Sequence, residues 1–228
     1  MTFLALYVII LLIKHIKNAL FRKEAAQMSF ETVVQNLQKR HFAVYTAKTK
    51  EEATAMALSL IPKGSSVTWG GTMTLHEIGL SAALKAEDYR VFDRDTVPPE
   101  EKQAFMEAHF FSDWFIMSAN AITMDGELLN LDGRGNRVAA MIYGPKNVLV
   151  IAGKNKLVKD YEAALRRVRE YAAPKNAARF PIKTPCKQSG SCADCLSPDS
   201  ICSNLVRTRL CFPEKRIKII LVDEALGY

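Results

Sequence analysis

Two short runs of almost unbroken apolar residues constrain this chain most. Asp113 to Ala119 reads DWFIMSA and Asn147 to Ala152 reads NVLVIA. Neither alternates with polar residues, so each suits a strand buried on both faces, the situation found in a parallel sheet covered by helices on either side. Around them, helical periodicity and strand signals take turns along the chain. Phe30, Val33, Val34 and Leu37 fall on one helical face, and Phe42 to Thr46 reads as a strand. Thr49 with Glu52 forms a capping box for a helix with a buried stripe of Ala53, Met56, Ala57 and Leu60, stopped at Pro62 to Gly64. Ser65 to Trp69 is the next expected strand, followed by a helix capped by Thr74 and Glu77. Ser81 to Lys85 continues or follows that helix. A strand at Tyr89 to Phe92 and a helix from Pro98 to about His109 come next. Beyond the second apolar run, a long helix is expected from about Asn155 to Ala173, ended by Pro174. This alternation predicts an α/β fold with a mainly parallel sheet.

In such sheets ligands gather beyond the carboxyl ends of the strands. Two segments begin there. Gly70, Gly71 and Thr72 follow a strand directly and open a helix, an order that aims free N–H groups at a carboxylate or phosphate; any tight strand-to-helix turn has the same need for glycine. The second segment, Asn120 to Val148, packs glycines among Asp, Asn and Arg, which is also how a long polar hairpin is built. Its candidate ligand residues are Thr123, Gly126, Asn130, Asp132, Gly133, Gly135, Asn136 and Arg137. Arg137 stands out because its planar fork can hold both oxygens of a carboxylate. Asp125, Asp132, Glu77 and His76 are the candidate acids and bases, though no spacing pairs them, and the catalytic residues stay unassigned. Glu127 to Leu131 reads as a strand, and Val138 to Tyr143 as either another strand or a buried helical turn. There is no serine elbow, zinc-protease helix or nicotinamide fingerprint.

All five cysteines lie in the last fifth of the 228-residue chain. An odd, clustered set beside a large apolar core argues against a secreted disulfide scaffold and for a reducing compartment, hence a cytoplasmic location. Cys186, Cys192, Cys195 and Cys202 span 17 residues of a Ser-, Gly- and Pro-rich stretch and are candidate ligands for zinc or an iron–sulfur cluster; spacing does not separate the two. Cys211, between Leu210 and Phe212, reads as a buried thiol. Net charge is +7, and residues 175–218 carry nine Lys or Arg against three acids, which suits a thiolate site or an acidic partner. No nucleic-acid module accompanies them, so nucleic acid is not expected. Residues 1–27 hold an uncharged apolar run, Thr2 to Ile13, interrupted early by Lys14, His15 and Lys17. It is short of the roughly 20 residues a spanning helix needs, so it is read as an extension outside the fold, with a membrane anchor through residues 1–21 as the alternative.

The segments GGTMTLHEIG (70–79), FDR (92–94), NAITMDGELLNLDGRGNRVAAMIYGPK (120–146), AAPKNAAR (172–179), TPCKQSGSCADCLSPDSIC (184–202) and VDEALGY (222–228) together resemble the LUD domain (lactate utilisation) family, in its subgroup with a cysteine-bearing C-terminus. The resemblance implies a three-layer Rossmann-like sheet similar to the sugar-phosphate isomerase and CoA-transferase group. It also implies binding of a small anionic metabolite or an organic cofactor of unknown identity, in or beside L-lactate to pyruvate oxidation with iron–sulfur oxidoreductase partners. The cysteine set is unlike a ferredoxin-type run. The alternative function is a metal-stabilised interaction or sensor protein whose cleft only regulates it. The expected organisation is an extension over 1–27, an α/β domain over 28–175, a cysteine lobe over 176–216, and a strand returning to the α/β domain within 217–228.

Overall fold

The apolar runs are strands at the centre of a parallel sheet. In a computed structural model that describes residues 30–93, 96–101, 103, 105, 107 and 109–228, the strands are β1 (Ala43–Ala47), β2 (Ser66–Trp69), β3 (Arg90–Phe92), β4 (Trp114–Met117), β5 (Ala121–Thr123), β6 (Leu128–Asp132), β7 (Asn147–Gly153), β8 (Leu157–Val158), β9 (Asn204–Thr208) and β10 (Ile217–Val222). Six form one sheet in the order β1-β10-β7-β4-β2-β3, every pair parallel. The last strand thus returns to the middle of the sheet, between β1 and β7. The N-terminal extension lies outside the described residues, and among these no helix is long and apolar enough to cross a membrane.

The period of two along each strand divides the core. Phe115, Met117, Val148, Val150 and Ile219 face one side, where helix α1 (Phe30–Lys39) packs through Val33 and Leu37. Trp114, Ile116, Leu149, Ile151 and Ile220 face the other, covered by α2 (Lys50–Leu60), α3 (Met73–Glu77) and α4 (Leu80–Ala86). Each of these fully buried side chains contributes about 1.5–3 kcal/mol of transfer free energy.

The side of the main sheet that carries α1 also carries a second, four-stranded sheet, β8-β5-β6-β9, which periodicity alone did not separate from the first. Its edge strand β9 comes from the cysteine region and pairs antiparallel with β6. The join is reinforced by Glu127, only 4% exposed, whose carboxylate accepts from Arg207 Nε at 2.7 Å and Nη2 at 3.0 Å and lies 3.4 Å from Arg40 Nη1. Burying a charged group is costly unless it is paired and hydrogen-bonded, as Glu127 is here.

Several local expectations change. Thr49 Oγ1 accepts from Glu52 N as expected, although the returning carboxylate of Glu52 takes the N–H of Lys48. Thr74 and Glu77 do not cap α3: Thr72 is its N-cap, without a side-chain cap bond, and Glu77 is its last residue. Gly79, at φ 76°, separates α3 from α4. Val138 to Tyr143 resolves as helix α5 (Asn136–Tyr143). Of the helix expected from Pro98 to His109, Gln103, Phe105 and Glu107 are helical, between 3-10 turns at Pro99–Glu101 and His109–Phe111; 102, 104, 106 and 108 lie outside the described residues.

The long helix from Asn155 to Ala173 is wrong in both extent and end. Lys154–Lys156 is a 3-10 turn, Leu157 and Val158 form β8, and the helix α6 (Tyr161–Arg166), N-capped by Asp160, runs into a π-helical turn at Arg167–Ala172. Pro174 sits in the first turn of α7 (Ala173–Ala177) rather than after the end. A proline has no N–H to return and its ring crowds the carbonyl four residues back. Widening the preceding turn to π geometry lets the chain pass it.

The β5–β6 turn shows how tightly the layers meet. Gly126 has φ +84°, and a Cβ there would lie 2.6 Å from the carbonyl carbon of Asn36 and 2.7 Å from the nitrogen of Leu37, both backbone atoms of α1. Gly126→Ala is expected to destabilise the fold by about 2–3 kcal/mol through left-handed strain and displacement of α1, read as a melting point lower by roughly 4–12 °C.

Candidate functional site

The chain leaves β2 and β4, neighbours in the sheet, on opposite sides: β2 leads through Gly70 to α3 on one face, and β4 leads through Ser118 to the second sheet on the other. In open α/β sheets the crevice at such a switch point, beyond the carboxyl ends of the strands, is where ligands bind. Gly70, Gly71, Thr72 and Thr74 come from the first exit, Ser118 and Asn120 from the second, and Lys156 from the turn after β7.

The sequence singled out Arg137 here, and the structure does bring it to Gly70. A Cβ on Gly70 would lie 2.9 Å from Arg137 Cγ and 3.2 Å from Phe115 Cζ, so glycine is required for the arginine stem to pass. The guanidinium is fully engaged by the protein. Nη1 donates to Ser118 O at 3.1 Å and Asn130 Oδ1 at 2.8 Å; Nη2 donates to Asn120 Oδ1 at 3.0 Å and Leu131 O at 2.9 Å. Nε lies 3.3 Å from Asp132 Oδ2, both side chains being 11% exposed. Asp132 also accepts from Gly135 N through Oδ1. Arg137, Asp132, Asn130 and Asn120 thus form one internal network in which the fork has no N–H left over for a ligand carboxylate.

Other sequence candidates are dispersed. Thr123 Oγ1 accepts from Glu127 N in a buried turn, and Gly126 faces α1. Asp125 is exposed in that turn. Gly133 approaches the backbone of Ile201, and Gly135, at φ +83°, approaches the side chain of Asn204, so this loop packs against the cysteine segment. Asn136 begins α5. His76 is exposed and its Nδ1 is 3.2 Å from Ser81 Oγ. Glu77 Oε2 accepts from Gly227 N at 2.6 Å.

Lys156, absent from the sequence candidates, occupies the crevice. It is 2% exposed, and its ammonium donates to Ser118 Oγ at 2.7 Å and Thr74 Oγ1 at 3.1 Å. Ser118 in turn donates to Ile151 O at 2.6 Å. No carboxylate pairs with Lys156 among the described residues. Burial, then the neighbouring charges of Arg167 and Arg137, push its pKa from 10.5 down to about 7, against a small opposing effect of Glu77. Arg167 donates from Nε to Asn155 O at 3.0 Å and from Nη1 to Asn120 O, but its Nη2 is buried without a partner, as is the hydroxyl of Thr72. Lys156 sits three residues after Gly153, which closes β7; that position at a strand end is the one sequence signal that marks it.

The C-terminus covers this group. Leu226 N donates to Asn155 Oδ1 at 3.0 Å, Gly227 O accepts from Asn155 Nδ2 at 3.1 Å, and a Cβ on Gly227 would come within 2.7 Å of Thr74 Oγ1 and 3.3 Å of Lys156 Nζ. A pocket of about 410 Å³ lies elsewhere, between α6 and the cysteine segment, lined by Glu162, Arg166, Arg169, Cys192 and Asp194.

The cysteines are free thiols. Cys186 lies in a short helix, α8 (Pro185–Ser189), and Arg169 Nη2 is 3.9 Å from Cys192 Sγ. Although Cys202 is exposed as a residue, partial desolvation and the nearby charges of Cys186, Cys192 and Cys195 raise its pKa, which places the four thiols in one neighbourhood. Among the described residues, however, no three His, Cys, Asp or Glu side chains are gathered closely enough to hold a metal ion. The donor chemistry suits zinc or an iron–sulfur cluster; the arrangement as folded does not assemble either site. Cys211 is buried, as its apolar neighbours suggested.

Among solved structures, a DUF162 family protein from Deinococcus radiodurans is similar in fold, with a TM-score of 0.51 at 12% identity over 86% of this chain and 97% of that one. Weaker likenesses are to eIF2B beta from Chaetomium thermophilum (TM-score 0.37, 16% identity, 50% and 44% of the two chains) and to 5-methylthioribose 1-phosphate isomerase from Pyrococcus horikoshii (TM-score 0.31, 15% identity, 72% and 51%). No curated protein matches significantly. The LUD domain model matches residues 30–222. With that match spanning both sheets and the crevice between them, the chain belongs to the LUD domain family, and membership supports a role related to lactate utilisation.

Proposed function

We propose that the crevice at the ends of β2, β4 and β7 binds a small anionic metabolite, of the class of L-lactate and pyruvate, and that the chain serves in or beside L-lactate to pyruvate oxidation. The observation that carries this reading is Lys156: a buried ammonium beside Arg167, with two hydroxyl partners and, among the described residues, no paired carboxylate. An isolated buried charge is disfavoured by several kcal/mol, and an anion relieves that penalty. Arg167 Nη2 and Thr72 Oγ1 supply unpartnered donors for its oxygens. Lys156 and Arg167 replace Arg137 as the ligand-facing cations, while Arg137 holds the walls together.

The test is thermal melting with L-lactate, pyruvate or inorganic phosphate. A ligand at about 100 times its Kd stabilises by about 2.7 kcal/mol, a rise of roughly 5–11 °C for a chain of this size. Because the protonated lysine attracts the anion, the L-lactate shift is expected to weaken as pH rises through about 7. No shift with any of the three compounds, at any pH near neutrality, would remove the anion site.

A second reading rests on the shared neighbourhood of the four thiols. Here Cys186, Cys192, Cys195 and Cys202 close on zinc or an iron–sulfur cluster, and the lobe docks a partner such as an iron–sulfur oxidoreductase while the crevice regulates it. Protein purified without oxygen would then carry stoichiometric zinc or show visible thiolate–iron absorbance that is lost in Cys195→Ser. Metal-free, colourless protein that melts identically with and without chelator contradicts it.

A further inference from the structure

We propose that Lys156 forms a covalent imine with the carbonyl carbon of a 2-oxo acid bound in the crevice, so that the site distinguishes pyruvate-type ligands from their 2-hydroxy counterparts by chemistry as well as by charge. This rests on the anion site described above. The geometry separates the two tasks such a ligand sets. Arg167 Nη2, buried and unpartnered, is the donor available to a carboxylate. Lys156 Nζ, held by Ser118 Oγ at 2.7 Å and Thr74 Oγ1 at 3.1 Å, is the amine available to the adjacent carbonyl. An amine works as a nucleophile only when neutral, and burial beside another cation is how a lysine is kept so near neutral pH; both conditions hold here.

The step balances without an oxidant. The lone pair of Nζ attacks the C2 carbonyl carbon, a C–N bond forms, and the carbonyl π pair moves to oxygen, which takes up a proton. The resulting carbinolamine loses that oxygen as water, leaving C=N. The Ser118 and Thr74 hydroxyls, within hydrogen-bond reach of Nζ, are placed to pass the protons between nitrogen and departing oxygen. L-Lactate offers no electrophilic carbon and forms no adduct. The C-terminal turn covers Nζ through Gly227, and three hydrogen bonds hold it, one to Glu77 and two to Asn155. It must lift for the acid to enter, and it then shields the imine from water.

The experiment is reductive trapping on the unmodified full chain: pyruvate with sodium cyanoborohydride, digestion, and mass mapping of the lysines, beside a melting assay with pyruvate. The expected result is a reduced pyruvyl adduct at Lys156, at least about tenfold above that at the exposed Lys154 and Lys159. It should be absent with L-lactate and absent at that position in Lys156→Arg. The yield should rise as pH increases through about 7, opposite to the trend expected for L-lactate binding. Pyruvate that raises the melting point without labelling Lys156 overturns the imine and leaves the anion site standing. Neither a shift nor an adduct overturns both. Label spread over surface lysines with no preference for Lys156 also overturns it.

Discussion

Lys156→Met is expected to make the protein more stable at neutral pH while abolishing its response to anions. The pKa of Lys156 falls from 10.5 to about 7 on folding. At 1.36 kcal/mol per unit, the buried ammonium withholds on the order of 4–5 kcal/mol from the folded state below pH 7. Methionine has similar length and no charge to desolvate, but it leaves Thr74 Oγ1 and Ser118 Oγ with one partner fewer each, a loss of about 1 kcal/mol apiece. Ser118 keeps its bond to Ile151 O. The net gain is about 2–3 kcal/mol, or roughly 4–12 °C in melting point. The pH dependence fixes the cause. Between about 7 and 10.5 the unfolded chain holds a proton that the native lysine has lost, so the unmodified protein gains stability as pH rises across that window. The advantage of the methionine variant is therefore largest below pH 7 and fades toward 10.5. Denaturant melts at about pH 6 and about pH 9.5 read this directly. A variant less stable than the parent at both values would make Lys156 a packing residue.

Most of the frame was legible in the sequence because its signals are local. DWFIMSA and NVLVIA marked β4 and β7, since a run apolar at every position fits only an element buried on both faces. The Gly70 turn and the Asn120 segment were rightly placed at strand ends. What failed was whatever depends on partners distant in the chain. Arg137 was selected for its chemistry, but whether a guanidinium is free is decided by Ser118, Asn120, Asn130, Leu131 and Asp132 folding around it. Lys156 was hidden for the converse reason. In NKLVKD it reads as one more charged residue on an amphipathic helix, and only the 3-10 turn after β7 points it inward. Gly126 reads from the sequence as a ligand-approach glycine, and its close approach is to α1. Asn204–Thr208 sat in a stretch dominated by cysteine and charge, so its pairing with β6 left no recognisable pattern.

Arg137 should behave in the opposite way to Lys156, and the contrast tests the division of labour between them. Arg137→Ala strands the Asp132 carboxylate, the side-chain oxygens of Asn120 and Asn130, and the carbonyls of Ser118 and Leu131, all at once. Breaking a buried ion pair from one side costs about 3–5 kcal/mol, so a melting point lower by roughly 6–20 °C is expected. Arg137→Lys keeps the charge and loses the planar fork. One ammonium cannot reach five acceptors, and a loss of about 2 kcal/mol follows. If Arg137 bound the ligand carboxylate directly, Arg137→Lys would be nearly as stable as the parent and blind to L-lactate. With its N–H groups engaged internally, the expected result is reversed: a less stable protein in which L-lactate still raises the melting point, because Lys156 and Arg167 are untouched. Asp132→Asn in the Arg137→Ala background removes the stranded charge and should recover about 1 kcal/mol. That coupling places Asp132 and Arg137 in one structural unit, distinct from the cations that face the crevice.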